Sequence, residues 1–273
     1  MAAVLGTNMA SVWASKNLQT AQSNMASSVE RLSSGLRINR GRDDAAGLAI
    51  ANALTQQING ANQGIKNLSD GVSIVQTADG ALAAVMEMAQ RLVVIGTQGA
   101  SGVLSVEQYA ALETEAEGLI SAMDNIVTRT KFNGTDLFGA TDDIEISSSN
   151  ETGDTITLDI DISLADFTTE APTINGFADA EDGQSLADDA VAFLVVLSTQ
   201  RAALGSLQNQ LEFAISNVTD LSSNLTAARS RVIDTDYATE TATLTKGQIL
   251  QQAATAMLAQ ANQMPNVILS LLK

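Results

Sequence analysis

The sequence predicts a mainly α fold: an elongated antiparallel helical bundle with a small β-hairpin, plus paired N- and C-terminal coiled-coil helices. Three observations carry this expectation. Long apolar registers step by alternating threes and fours, the seam of helices lying against helices. Only 2 prolines occur in 273 residues, a scarcity that long uninterrupted helices need. Aromatic residues make up 3% of a chain that is 45% hydrophobic, so Ala, Leu, Val, Ile and Met must supply the burial, which suits close-packed helices.

Near the start, Leu18, Met25, Val29, Leu32 and Leu36 share a helical face that Gln22 interrupts. From Leu54 a register runs through Ile58, Ala61, Ile65, Leu68, Val72, Val75, Leu82, Met86, Ala89 and Val93, with Asp79 its only charged member. At ~1.5 Å per residue this is a rod roughly 60 Å long. Glycines in 96–102 supply the first reversal. A second helix starts at Ser105, with Gln108 placed for a reciprocal capping box; its stripe is Tyr109, Leu112, Ala116, Leu119, Met123 and Ile126.

The period then changes. Ile156, Leu158, Ile160, Ile162 and Leu164 alternate with Thr157, Asp159, Asp161 and Ser163, giving one apolar and one wet face. With Ile144 and Ile146 across a turn at 151–154, this reads as a β-hairpin on the bundle. Residues 165–185, with Pro172, Gly176 and Gly183, read as irregular surface chain. A third helix carries Leu204, Leu207, Leu211, Ala214, Val218, Leu221, Leu225 and Ala228. The three stripes need one another, because a lone amphipathic helix leaves its apolar face in water.

The C-terminal stripe is Leu250, Ala254, Met257, Ala261, Met264, Ile268 and Leu271. The other faces of both terminal helices are Ser, Thr, Asn and Gln with few charges. Solvated faces are usually charged, so these surfaces read either as packing against neighbouring molecules or as a two-helix coiled coil within one chain.

Histidine and cysteine are absent, which removes the usual zinc, haem and thiol ligands and the Ser–His and Cys–His nucleophilic machinery. Asp159 with Asp161, and Asp188 with Asp189, lack the turn glycine and closing Glu of a calcium loop. The expectation is no enzyme, no metal and no cofactor. Net charge is −17; no Lys or Arg lies between Lys131 and Arg201, while 136–189 holds 15 of the 31 acidic residues. Such a region repels nucleic acid and anionic membranes. No apolar run in 1–30 suits a cleaved signal peptide, and no stretch approaches a membrane span. An extracellular protein of this sequence is expected to leave by a route that reads no leader. Arg37, Arg40 and Arg42, just before Asp43 and Asp44, read as ion pairing within or between subunits near a helix break. Ser147 to Ser149 read as exposed acceptors for O-linked sugar.

Several of these segments together resemble bacterial flagellin. They are Glu30-Arg-Leu-Ser-Ser-Gly-Leu-Arg-Ile-Asn39, Asp43-Asp-Ala-Ala-Gly-Leu-Ala-Ile-Ala51, Asp70-Gly-Val-Ser-Ile-Val-Gln-Thr77, Phe132-Asn-Gly134, and 224–273 including Leu225-Thr-Ala-Ala-Arg-Ser-Arg231. The resemblance covers most of both terminal thirds in matching order. It implies a self-assembling subunit of a helical flagellar filament, secreted and extracellular. Residues 1–42 with 230–273 would form an inner tube and 43–229, including the hairpin region 140–185, an outer one, without further outer domains. The assembly interface would then include Leu18, Met25, Val29, Leu32, Leu250, Met257, Met264, Ile268 and Leu271. Implied partners are other copies, an export chaperone, the filament cap and hook-junction proteins.

A host innate receptor is a further implied partner. The stretch it contacts aligns with 90–98 here: Gln90, Arg91 and Glu115 match contact positions, whereas Val93 and Val94 replace residues that are usually charged. Leu269, Leu271 and Leu272 resemble the part read by a cytosolic sensor. Two rival readings are a hook–filament junction protein of the same superfamily and a secreted adhesin using 140–185.

Overall fold

The computed structural model describes residues 8–138, 144–148, 155–158, 171–172 and 179–271. Its helices are α1 (Met9–Ser34), α2 (Ala45–Gly99), α3 (Val106–Arg129), α4 (Ala180–Ile233) and α5 (Tyr237–Leu271). Between α3 and α4 lie β1 (Lys131–Phe132), β2 (Thr135–Asp136), β3 (Ile144–Ser147) and β4 (Thr155–Leu158). The chain divides into two compact units, one Gln57–Ser223 and the other Met1–Gln56 with Asn224–Lys273.

The core of the unit 57–223 is built from the registers expected of its helices. Leu68, Val75, Leu82, Val85, Leu92 and Ile95 of α2 are buried, with Ala116, Met123 and Val127 of α3 and Phe193, Leu197 and Leu211 of α4. Burying each leucine contributes on the order of 2 kcal/mol. Asp79, the charged member of the α2 register, accepts from Arg201 of α4: Nε to Oδ1 at 2.7 Å and Nη2 to Oδ2 at 3.1 Å. The hydrogen bond to Asp79, with its charge, holds the Arg201 guanidinium above its ordinary value against an opposing desolvation. Ser105 caps α3 as expected, its hydroxyl accepting from Gln108 N while Gln108 Oε1 accepts from Ser105 N at 2.8 Å.

The hairpin is present. β3 pairs antiparallel with β4 in the register Ile144↔Leu158, Ile146↔Ile156, the strand pairing expected of these residues. Ile160, Ile162 and Leu164 lie outside the described residues. The hairpin seats on α2, where Asn67 Nδ2 donates to the Ser147 carbonyl at 3.1 Å. Helix and hairpin come so close that a Cβ on Gly64 would stand 1.8 Å from the Ser148 carbonyl oxygen. Ser148 is itself buried, so it is no exposed sugar acceptor; Ser149 lies outside the described residues.

Two expectations need correction. α4 begins at Ala180, not near Leu204, so the end of the supposed irregular stretch 165–185 is helical. Leu186, Ala190, Phe193 and Leu197 extend the stripe inward. The acidic run that suggested loop is a helix start: Asp179 Oδ1 accepts from Glu181 N and Asp182 N, and Asp182 Oδ2 accepts from Asp179 N. Glu181 and Asp182 also favour the positive end of the helix dipole. Likewise α2 starts at Ala45 rather than Leu54, capped by Asp44, whose Oδ1 accepts from Gly47 N at 2.9 Å. A second short ladder, Lys131↔Asp136 and Phe132↔Thr135, was not expected. Its turn is Asn133–Gly134, both at positive φ (49° and 88°), the backbone that Asn-Gly favours in a two-residue hairpin.

Candidate assembly surface

The terminal unit is organised around the pairing of α1 with α5. Asn8 caps α1, its side chain accepting from Ser11 N at 3.2 Å. The same amide donates to the Ala261 carbonyl at 2.7 Å, and Ser11 Oγ reaches Asn262 Oδ1 at 3.1 Å. At the other end Arg31 meets Glu240 at 3.6 Å. The helices therefore run antiparallel. α1 ends at Gly35, whose left-handed backbone (φ 72°) lets its N–H bond the Arg31 carbonyl.

The seam between them consists of small residues. Ala14, Ala21 and Ser28 are buried on α1; Ala254 and Ala261 are buried on α5, and Gly247 lies against Met25. Each set recurs every seventh residue, the repeat that keeps one stripe facing a partner helix. Side chains this short let the backbones approach and leave the larger residues outside the seam.

Consequently the residues assigned to an assembly interface are only partly covered. Leu18, Met25 and Leu32 are half-buried, while Val29 is 51%, Leu250 49% and Met257 55% exposed. The side chains of Met264, Ile268, Leu269, Leu271 and Leu272 lie outside the described residues. Val12, Trp13 and Ile249 are also largely exposed and were not singled out from sequence. Lys16 Nζ sits 5.7 Å from the Trp13 ring centroid.

The charged residues near the helix break find partners in their own chain. Arg37 N donates to the Ile233 carbonyl at 2.6 Å and its guanidinium to the Val232 carbonyl at 2.5 Å. Arg40 pairs with Glu30 at 2.7 Å, and Arg42 with Asp43 at 3.6 Å. Asp43 Oδ2 accepts from the N–H groups of Asn39 and Arg40. Desolvation, the largest single effect, raises the Asp43 carboxyl, but the Arg40 and Asn39 N–H groups with the charges of Arg42 and Arg31 together outweigh it and hold the carboxyl below its ordinary value. Beneath this turn Ile38, Ala51 and Ile233 form a small buried cluster with Leu36, Leu48 and Val232. Asp236 caps α5, accepting from Thr239 Oγ1 at 2.7 Å and Ala238 N at 2.9 Å. The Thr239 hydroxyl, then its backbone N–H and that of Ala238, hold the Asp236 carboxyl low.

In the other unit, Arg91 Nε and Nη2 both donate to Glu115 Oε1, at 2.9 and 2.6 Å. That exposed pair joins α2 to α3, with Gln90 exposed beside it. Val93 is half-buried and Val94 is 52% exposed.

Comparison with known proteins completes the picture. The N-terminal helical region of bacterial flagellin matches residues 5–143, and the C-terminal helical region matches 186–272. The chain belongs to the bacterial flagellins. Flagellin of Halalkalibacterium halodurans is 36% identical, over 99% of this chain and 100% of its own length. Flagellin of Bacillus subtilis is 37% identical over 95% of each chain, and the flagellar filament 33 kDa core protein of Treponema phagedenis 34% identical over 99% and 100%. Among solved structures, Bacillus cereus flagellin superposes with a TM-score of 0.51 at 28% identity, covering 60% of this chain and 94% of that one. A hook-associated protein from Vibrio parahaemolyticus covers 70% of this chain and all of its own, with a TM-score of 0.57 but 14% identity; the fold alone is shared. Among flagellins this chain is a structural subunit of the flagellar filament.

Proposed function

We propose that the outward face of the α1–α5 pair is the surface through which copies join to form the inner layer of the filament. Residues 1–42 with 230–273 belong to that layer and 43–229 to the outer one. The observation that carries this reading is the small-residue seam: pairing within the chain covers Ala14, Ala21, Ser28, Ala254 and Ala261 but leaves Trp13, Val29, Ile249, Leu250 and Met257 in water. Exposed large apolar side chains collected on one pair of helices favour association. Burying them between copies gains the hydrophobic free energy that one molecule cannot collect. Leu18, Met25 and Leu32 extend the same surface along α1, and we assign Met264, Ile268 and Leu271 to the interface as well. Arg37, Arg40, Arg42, Asp43 and Asp44 shape the turn that ends it.

The same reading places the protein outside the cell, with an export chaperone, the filament cap and hook-junction proteins as partners. Gln90, Arg91 and Glu115 are its contact positions for a host innate receptor.

Replacing Leu250 or Met257 with Asp tests the surface. Polymer should disappear from the sedimented fraction, while circular dichroism keeps its helical signal because neither side chain is buried in the monomer. Unchanged filament yield from both variants would refute the assignment.

A further inference from the structure

The first two turns of α1 carry a stripe that the fold leaves in water. Met9, Val12, Trp13 and Lys16 recur at the spacing that stacks side chains on one helical face. Met9 is 56%, Val12 55% and Trp13 59% exposed, and Lys16 is exposed beside them. At ~100° per residue the stripe lies about half a turn round the helix from Leu18 and Met25. Lys16 Nζ stands 5.7 Å from the Trp13 ring centroid, so the ammonium is kept close to the aromatic face.

Charge is missing from the surrounding helices. Lys16 is the only charged residue between Met9 and Val29, and there is none between Gly247 and Leu272. The polar residues of α1 over that stretch are Ser, Thr, Asn and Gln. Two of the hydroxyls bond back into the helix, Thr20 Oγ1 to the Lys16 carbonyl at 3.0 Å and Ser27 Oγ to the Ser23 carbonyl at 3.2 Å. The helix therefore offers a partner apolar contact and one amine, with no anionic group to pair.

That chemistry suits a bilayer interface. A tryptophan ring sits well at headgroup depth, and a lysine stem can lie along apolar surface while its charge stays in water. Helices with strongly basic polar faces gain from anionic lipid. One with an uncharged polar face depends instead on apolar side chains entering gaps between headgroups, as lipid-packing sensors do. We infer that the Met9–Val12–Trp13–Lys16 stripe of the free subunit docks on an uncharged, loosely packed lipid surface. The acidic run in 136–189 disfavours anionic membranes, and zwitterionic lipid escapes that repulsion. The inference goes beyond the joining of copies, since it concerns a subunit that no neighbour covers.

Trp13 is the one tryptophan of the chain, so intrinsic fluorescence reports on this stripe alone. Depolymerised full-length subunits mixed with small sonicated phosphatidylcholine vesicles should show a blue-shifted emission that brominated acyl chains quench. Large extruded vesicles of the same lipid should bind more weakly, and adding phosphatidylserine should not strengthen binding. No shift on small vesicles, an equal shift on large ones, or a shift that needs phosphatidylserine would overturn the proposal. A shift already present in the same sample without vesicles would assign the stripe to a second copy instead. Val12→Asp should weaken vesicle binding about tenfold or more while circular dichroism keeps its helical signal. Val12→Leu should bind as well as wild type. Undiminished binding by Val12→Asp, or loss of binding in both variants, would sink the inference. The surface that joins copies fails separately: Leu250→Asp subunits would then form filaments, a result that involves no lipid.

Discussion

Asp236 and Asp43 show how single side chains hold the turn between terminal helix and long helix. Each carboxylate accepts hydrogen bonds from nearby N–H or O–H groups, and each is held below the ordinary carboxylate value of 3.8. The sign follows from linkage. A carboxyl that is more acidic in the folded chain stabilises it above 3.8, and that contribution fades as pH falls through the lowered folded value. The terminal unit should thus loosen on acidification below the ordinary carboxylate range. Thermal melts across that range should show Asp236→Asn less stable than wild type at neutral pH and converging with it in acid. A constant gap between the two would deny the carboxylate this role. Arg37 works otherwise, its backbone N–H satisfying the Ile233 carbonyl and its guanidinium the Val232 carbonyl.

Among the elements, the α2–hairpin contact gives the sharpest test. Alanine at Gly64 gains roughly 1 kcal/mol of helix propensity. Its Cβ would stand 1.8 Å from the Ser148 carbonyl oxygen, however, and overpacking typically costs ~1–3 kcal/mol. Because the obstacle is backbone rather than a pliable side chain, the clash should win, lowering the melting temperature of Gly64→Ala and lifting β3–β4 off the helix. A raised melting temperature would mean the hairpin is not seated there. The helical registers and the Ile146↔Ile156 pairing were legible in sequence because burial imposes their periods of 3.6 and 2. The start of α4 was not, since Asp179 and Asp182 make a capping box in which Asp stands at both positions in place of the usual Ser or Thr and Glu or Gln. The seam of α1 and α5 was legible only in part: Ala254 and Ala261 stood in the expected C-terminal stripe, but the seam's other members did not stand out. Large apolar residues at heptad spacing drew attention, whereas Ala14, Ala21, Ser28 and Gly247, which let the helices close up, look unremarkable in a chain this rich in alanine.

For the whole molecule the governing quantity is charge. Copies of net charge −17 must come together over distances comparable with the Debye length of about 10 Å at 0.1 M salt. Association through uncharged faces should therefore speed up as salt rises, with a shortening lag in light-scattering traces of seeded growth. A lag that lengthens with salt would mean that oppositely charged groups, rather than apolar faces, bring the copies together.

The Arg201–Asp79 pair has a consequence for a bundle of this kind. Repeating apolar stripes tolerate sliding: shifting one helix by seven residues, about 10 Å, sets leucine against leucine again with little lost. Such a slip between α2 and α4 would break both hydrogen bonds of this part-exposed pair. One bidentate bond thus works as an index pin, granting a single alignment to two rods whose greasy ridges would accept several.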